Sequence, residues 1–147
     1  MTVVNKSRVV PFEPMQMYRL VDEVEKYPEF LPYCDGSEVH HRDEDEVKAS
    51  LMIGAGGMSK SFTTRNLLQP GKMIEIRLVD GPFKHLEGFW RFDATDDGGC
   101  KVSFDIEFEF AGRMFSMLLG PVFEQVTNKM VDAFCLRAED LYASNND

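Results

Sequence analysis

The stretch Lys101-Val102-Ser103-Phe104-Asp105-Ile106-Glu107-Phe108-Glu109-Phe110 decides the fold. Every second side chain is large and apolar, and the ones between are charged or hydroxylated. A period of two puts Val102, Phe104, Ile106, Phe108 and Phe110 on one face of a strand and leaves the other face wet. One dry and one wet face is the pattern of an antiparallel sheet, because parallel strands are buried on both sides. Upstream, Leu86, Gly88, Trp90 and Phe92 repeat the alternation, as do Val47, Ala49, Leu51 and Ile53. Turn chemistry separates the runs at Asp43 to Glu46, Gly54 to Gly57, Gln69-Pro70-Gly71, Asp80-Gly81-Pro82 and Asp96 to Gly99. Between Asp35 and Phe110 this predicts six strands, and the β-branched segment Val3 to Val10 predicts one more before them.

The flanks change period. Pro14 suits the first turn of a helix, and Met17, Leu20, Val21 and Val24 form one apolar helical face behind it. Tyr27-Pro28 breaks this helix, and Pro28 to Leu31 reads as a second short turn ended by Pro32. At the other end Phe123, Val126, Met130, Phe134, Ala138 and Leu141 make a stripe along a long helix. Pro121 lacks a backbone donor, so that helix starts or kinks there, and Gly120-Pro121 is a candidate hinge. The order predicts an α+β fold: a seven-stranded curved antiparallel sheet wrapped around a long C-terminal helix, with two short helices after strand 1. The helix is the element available to cover the dry face of the sheet.

A chain of 147 residues suits one domain over 1–147, large enough to bury roughly 70% of its unfolded surface. Sixteen Lys and Arg against 25 Asp and Glu give a net charge of -9, which argues against broad electrostatic binding to DNA or to an anionic membrane. Cys34, Cys100 and Cys135 cannot all pair, and their spacing matches neither a disulfide framework nor a zinc knuckle. With no signal core at the start and no run long enough to span a bilayer, the expected location is the cytoplasm.

Catalytic chemistry has little support. The histidines, His40, His41 and His85, read as strand-surface residues, and alternation would send His40 and His41 to opposite faces, wrong for a shared metal. No nucleophile elbow or Cys-His spacing occurs, so no catalytic residue and no metal ligand is assigned. Gly54-Ala55-Gly56-Gly57 lacks the Lys-Ser/Thr of a phosphate loop and reads as a hairpin loop, alternatively a flap tipped by Met58. Asp43 to Glu46 reads as a solvated turn. Lys60, Arg65, Lys72, Arg77, Lys84 and Arg91 are the basic residues from which a positive sheet face can be built. The aromatic and methionine content points elsewhere. Twelve Phe and nine Met fill a core that, between a curved sheet and one helix, leaves room for an apolar ligand. Each buried methylene of such a ligand contributes about 0.8 kcal/mol.

Three segments carry a family resemblance: Tyr27-Pro28-Glu29-Phe30-Leu31-Pro32-Tyr33-Cys34, then Gly81-Pro82-Phe83 through Leu86, Gly88, Trp90 and Phe92, then Gly120-Pro121 through Phe134 and Arg137-Ala138. Together they resemble the coenzyme-Q-binding START-domain family of the polyketide cyclase/lipid transport superfamily, and in particular its bacterial branch, which includes ribosome association toxins. The resemblance implies a helix-grip fold. It implies a tunnel for ubiquinone or a related polyprenyl lipid between sheet and C-terminal helix, in support of respiration or quinone biosynthesis and with transient membrane contact. Alternatively it implies a toxin of a toxin–antitoxin pair that binds the large ribosomal subunit and blocks subunit association, and third a cyclase. No cofactor is required by the first reading; the quinone is the ligand. Carried over by position, Tyr27, Phe30, Leu31, Pro32 and Tyr33 would line or gate the entrance, with the Tyr33 phenol donating to a quinone carbonyl. Phe83, Trp90, Phe123, Met130 and Phe134 would form the wall.

Overall fold

The alternating run Lys101 to Phe110 lies in β7, Cys100–Phe110, and its inward residues are all buried. The computed structural model describes residues 1–55 and 57–143. In chain order it contains β1 (Thr2–Val10), α1 (Pro14–Asp22), a 3₁₀ helix (Val24–Glu29), β2 (Cys34–Arg42), β3 (Glu46–Ala55), β4 (Met58–Gln69), β5 (Met73–Asp80), β6 (Phe83–Ala94), β7 and α2 (Arg113–Tyr142). The seven strands form one antiparallel sheet in the order β1-β7-β6-β5-β4-β3-β2. Consecutive strands are neighbours throughout except at β1, which leaves the first position in the chain to pair with the last strand. Helix α2 touches β1 and β7 near one edge and β3 near the other, so the sheet curls around it.

The curvature has local causes. Register shifts occur between Cys34 and Gly36, Val39 and His41, Thr63 and Thr64, and Phe83 and His85. Each extra residue bends its strand and adds twist. At Gly88 the backbones of β6 and β7 come so close that a Cβ would lie 2.5 Å from the Asp105 carbonyl oxygen, which only glycine tolerates.

The helices differ from the sequence reading at three places. Helix α1 starts at Pro14 as the pattern predicts, with Gln16 Oε1 accepting the Glu13 N–H at 2.9 Å. It stops at Asp22, however, and Val24 opens the 3₁₀ helix, which contains Pro28 instead of beginning at it. A single turn of this kind accepts proline because the missing N–H falls where few i→i−3 bonds exist. Helix α2 runs from Arg113 through Pro121 to Tyr142, so it does not start at Gly120-Pro121, and the proline lies inside the helix. At its far end Leu141 is 37% exposed; Tyr142 takes the packing role instead, 5.7 Å from the Phe12 ring and donating to the Gln16 carbonyl at 3.2 Å. Gly56 in the glycine-rich loop and Ser144 to Asp147 lie outside the described residues.

Two aromatic clusters fill the space between sheet and α2. Phe62, Phe83, Phe108, Phe110 and Phe123 make one, with Phe108 and Phe123 edge to face at 4.7 Å. Tyr27, Phe30, Trp90, Phe104 and Phe134 make the other, with Trp90 stacked on Phe104 at 4.3 Å. Each fully buried ring of this size contributes roughly 2–3 kcal/mol of hydrophobic stabilisation. Ion pairs fasten the small elements at the rim: Arg42 of β2 binds Asp22 and Glu25, each at 3.1 Å, and Arg137 of α2 binds Glu29 at 2.7 Å while lying over the Phe30 ring.

Candidate ligand-binding site

Between the sheet and α2 an apolar cavity remains, enclosing about 50 Å³. Its walls come from every layer: Val21, Val24 and Tyr27 from the helical segments, inward residues of β3 to β7 including Thr64, Asn66, Trp90 and Phe104, and Phe123, Val126, Thr127 and Met130 from α2. Among the described residues, no charged side chain lines it. A volume of this size holds only a few water molecules, at roughly 10–15 Å³ apiece on the same kind of measure. At this size the space is far smaller than the extended tunnel that the resemblance implies.

The polar atoms of the wall are mostly committed. The Thr127 hydroxyl donates to its own helix, to Phe123 O at 3.1 Å and Glu124 O at 3.0 Å. The Tyr27 phenol donates to the Val21 carbonyl, and burial pushes its ionisation far above the usual tyrosine range. Thr64 Oγ1 donates to Asn66 Oδ1 at 3.0 Å. Burial also holds the thiols of Cys34, Cys100 and Cys135 up to about 11, so they stay protonated at neutral pH.

Of the ten residues singled out from sequence, the structure brings Tyr27, Trp90, Phe123 and Met130 to this cavity. Phe134 is fully buried directly behind, 5.2 Å from Tyr27 and 5.2 Å from Trp90. Phe83 sits with Phe110 and Leu119 around a second gap of about 10 Å³, which shares Ile53, Phe62 and Phe123 with the first. Phe30 packs on Phe134 at 5.0 Å, and Leu31 is buried. Pro32 is half-buried, and neither it nor Phe30 nor Leu31 lines the cavity. Tyr33 stands at the surface in a left-handed conformation, φ 63°, and its phenol donates to Gln125 Oε1 of α2 at 3.0 Å. The Tyr27 to Tyr33 segment thus acts as a strap fixed to α2, with only Tyr27 reaching the cavity. Sequence reasoning missed Thr64 and Asn66. Polar residues at inward positions of β4 were their signal, visible once Phe62 fixes the phase.

The outer face of the sheet carries the remaining candidates. The bulge after Val39 overrides strict alternation: His40 bonds the outward Ser50 hydroxyl at 2.6 Å, and His41 bonds Asp43 at 2.8 Å on the same wet side. His85, Glu87 and Glu107 place three ligand-type atoms within 4.8 Å of one another, with His85 Nε2 at 3.0 Å from Glu107, the one group among the described residues where a cation could be held. The basic residues do not share one face. Lys48, Arg65 and Arg77 stand side by side across β3, β4 and β5. Lys60, in register with the inward Ile53, lies instead on the concave rim over the Phe115 ring at 5.1 Å. Arg65 and Arg77 are paired with Glu46 and Glu75 at 2.9 and 3.0 Å.

The family model for polyketide cyclase / dehydrase and lipid transport proteins matches residues 10–135. The chain belongs to this family. One member similar to it is a ribosome association toxin, RatA, of Pseudomonas aeruginosa, 43% identical and covering 96% of this chain and 98% of that one. Another is the mitochondrial coenzyme Q-binding protein COQ10 homolog B of Xenopus laevis, 30% identical over 94% of this chain and 58% of that one. Among solved structures, the Zhui aromatase/cyclase from Streptomyces has the same fold, with a TM-score of 0.77 at 18% identity, covering 97% of both chains. A named toxin and a named quinone-binding protein are thus similar to this chain over most of its length, a named cyclase shares its fold, and the site must decide between them. No helix among the described residues is long and apolar enough to cross a membrane.

Proposed function

We propose that the chain is a non-catalytic carrier of a neutral apolar ligand, a polyprenyl quinone or a related lipid, held between the sheet and α2. The observation that carries this reading is the cavity wall itself: apolar side chains from all layers, and no acid, base, thiol or histidine among them. A cyclase needs a proton donor or acceptor in reach of its substrate, and the titratable group in this wall, the Tyr27 phenol, already donates to the Val21 carbonyl and is held protonated by burial. The name of the Xenopus relative supports a quinone as the ligand class. Because the cavity measures only about 50 Å³, the ligand must displace side chains, and the flexible thioether of Met130 on α2 is the wall group best suited to repack. Trp90, the single tryptophan, reports on this directly. Titration with a short-chain benzoquinone is expected to quench its fluorescence saturably, with loss of that response in Phe123→Ser. Quenching that stays linear, together with no quinone in organic extracts of the natively purified protein, would remove the reading.

A second reading, binding to the large ribosomal subunit, is favoured by the name of the Pseudomonas relative, at 43% identity over nearly the full length of both chains. The surface that suits RNA phosphates is the row Lys48, Arg65 and Arg77, with Lys60, one of the six basic residues read from sequence, on the other side of the sheet. Cosedimentation with large subunits at low salt, lost when these three are neutralised together, is the expected result. The two readings use opposite faces of the sheet and are compatible.

A further inference from the structure

We infer that Asn66 selects the ligand of this cavity, by donating its side-chain amide hydrogen to a carbonyl oxygen on an uncharged head group. The inference rests on reading the cavity as a ligand site, and it begins from a process of exhaustion over polar atoms. The Tyr33 phenol, which the sequence offered as head-group donor, is occupied with Gln125, and the Tyr27 phenol in the wall is occupied with the Val21 carbonyl. The Thr127 hydroxyl hydrogen is held by α2. Thr64 gives its hydrogen to Asn66 Oδ1, which fixes the amide with its oxygen toward Thr64 and its nitrogen away. Among the described residues no acceptor takes the Asn66 amide N–H groups or the Trp90 indole N–H. Every fully sealed side-chain polar atom there does have a partner, so these two donors face open space and not packed wall.

The placement of Asn66 is otherwise hard to account for. It stands at an inward position of β4, opposite Val47 on β3 and Ile76 on β5, in the middle of a sheet that disfavours asparagine. A valine there would satisfy the strand and the core. Donors that face an apolar cavity without a protein acceptor favour a ligand that brings one, because its carbonyl then keeps a hydrogen bond that an all-hydrocarbon wall would deny it. The absence of any charged wall residue sets the sign of the selection: a carboxylate would arrive with nothing to compensate its lost hydration, whereas a neutral carbonyl loses little. The site therefore fits a carbonyl-bearing ring on a hydrocarbon tail and rejects a fatty acid anion of the same length.

The test uses Trp90 fluorescence with three probes, a decyl-substituted benzoquinone, decylbenzene and decanoate, the last two by competition where they do not quench. Wild type is expected to bind the quinone best and decanoate not at all. Asn66→Leu, close in volume, is expected to weaken the quinone about fivefold to tenfold while leaving decylbenzene unchanged or tighter. Asn66→Asp retains the oxygen that accepts from Thr64 but removes the donors, so it separates selection from a purely structural role and serves if the leucine variant does not fold. It is expected to lose quinone affinity at least as strongly. Wild-type quinone affinity in either folded variant would overturn the role of Asn66 and leave the carrier reading standing. Absence of saturable binding of quinone and decylbenzene by wild type would overturn both.

Discussion

The ring of Tyr27 stands edge-on to Phe134 with centroids 5.2 Å apart, and its phenol hydroxyl is bonded to the Val21 carbonyl. One residue thereby joins the end of α1, the 3₁₀ helix and α2. Removing only the hydroxyl in Tyr27→Phe is expected to cost about 1 kcal/mol, since the Val21 carbonyl loses its donor and the ring contacts remain. Phe134→Ala empties a fully buried site and is expected to cost about 3–5 kcal/mol. Urea denaturation checks both, and a smaller loss for Phe134→Ala than for Tyr27→Phe would mean that the second aromatic cluster is not the keystone described above.

Gly88 marks the closest approach of β6 and β7. In Gly88→Ala the new methyl would collide with the backbone of Asp105 and Ile106, which cannot yield as a flexible side chain would. The expected loss is about 1–3 kcal/mol, without any change in ligand chemistry. An unchanged denaturation midpoint would show that the two strands can part there.

The buried thiols predict an alkaline limit. Their ordinary value is 9.0, and in the folded chain all three are pushed up to about 11 by burial. Above pH 9 the unfolded chain releases these protons and the folded chain keeps them, so rising pH favours unfolding. Tyr18, raised to about 12 chiefly by burial and then by the Asp22 carboxylate, acts with the same sign at higher pH. The stabilisation is complete below pH 9 and is lost between pH 9 and 11. Thermal unfolding across that range should show a falling Tm, with a shallower fall in Cys135→Ala. A Tm that stays flat to pH 11 contradicts the assignment.

Pro121 deprives the Met117 carbonyl of its helical partner in the interior of α2. Pro121→Ala supplies the missing N–H and is expected to raise stability by about 1 kcal/mol or more, with slower amide exchange over residues 113–120. If exchange there is unaffected, the first turns of α2 are not limited by the proline.

Much of this architecture was legible in the sequence because it follows from period. The inward set Val102 to Phe110 fixes β7, and the Phe123 to Ala138 stripe fixes the buried face of α2. What period cannot show is an inserted residue. The bulge after Val39 put His40 and His41 on the same side, although alternation separates them. Pro121 misled for a related reason: it removes one hydrogen bond, and Leu119 and Phe123 buried on either side of it hold the helix together regardless. At the candidate site the aromatic wall was readable from composition and phase. Lys60 was not, and Asn66 only through the phase that Phe62 sets, because their roles depend on which neighbour stands opposite: Ile53 sets Lys60 on the concave rim, and Val47 and Ile76 set Asn66 inside.

The pairing of β1 with β7, Thr2 opposite Phe108 and Val10 opposite Cys100, has a temporal consequence. As the chain leaves the ribosome, residues 2–10 emerge before the rest of the sheet and find no strand to join until residue 110 has followed. Strands β2 to β6 can meanwhile add to one another as successive hairpins, so the edge formed first in synthesis is the last to close. Val3 and Val9, which remain 56% and 62% exposed even in the finished sheet, travel through that whole interval on an unpaired segment. A nascent chain arrested before β7 would carry a free, β-branched strand and a half-covered sheet, the form of this protein most open to capture by a chaperone or by another copy of itself.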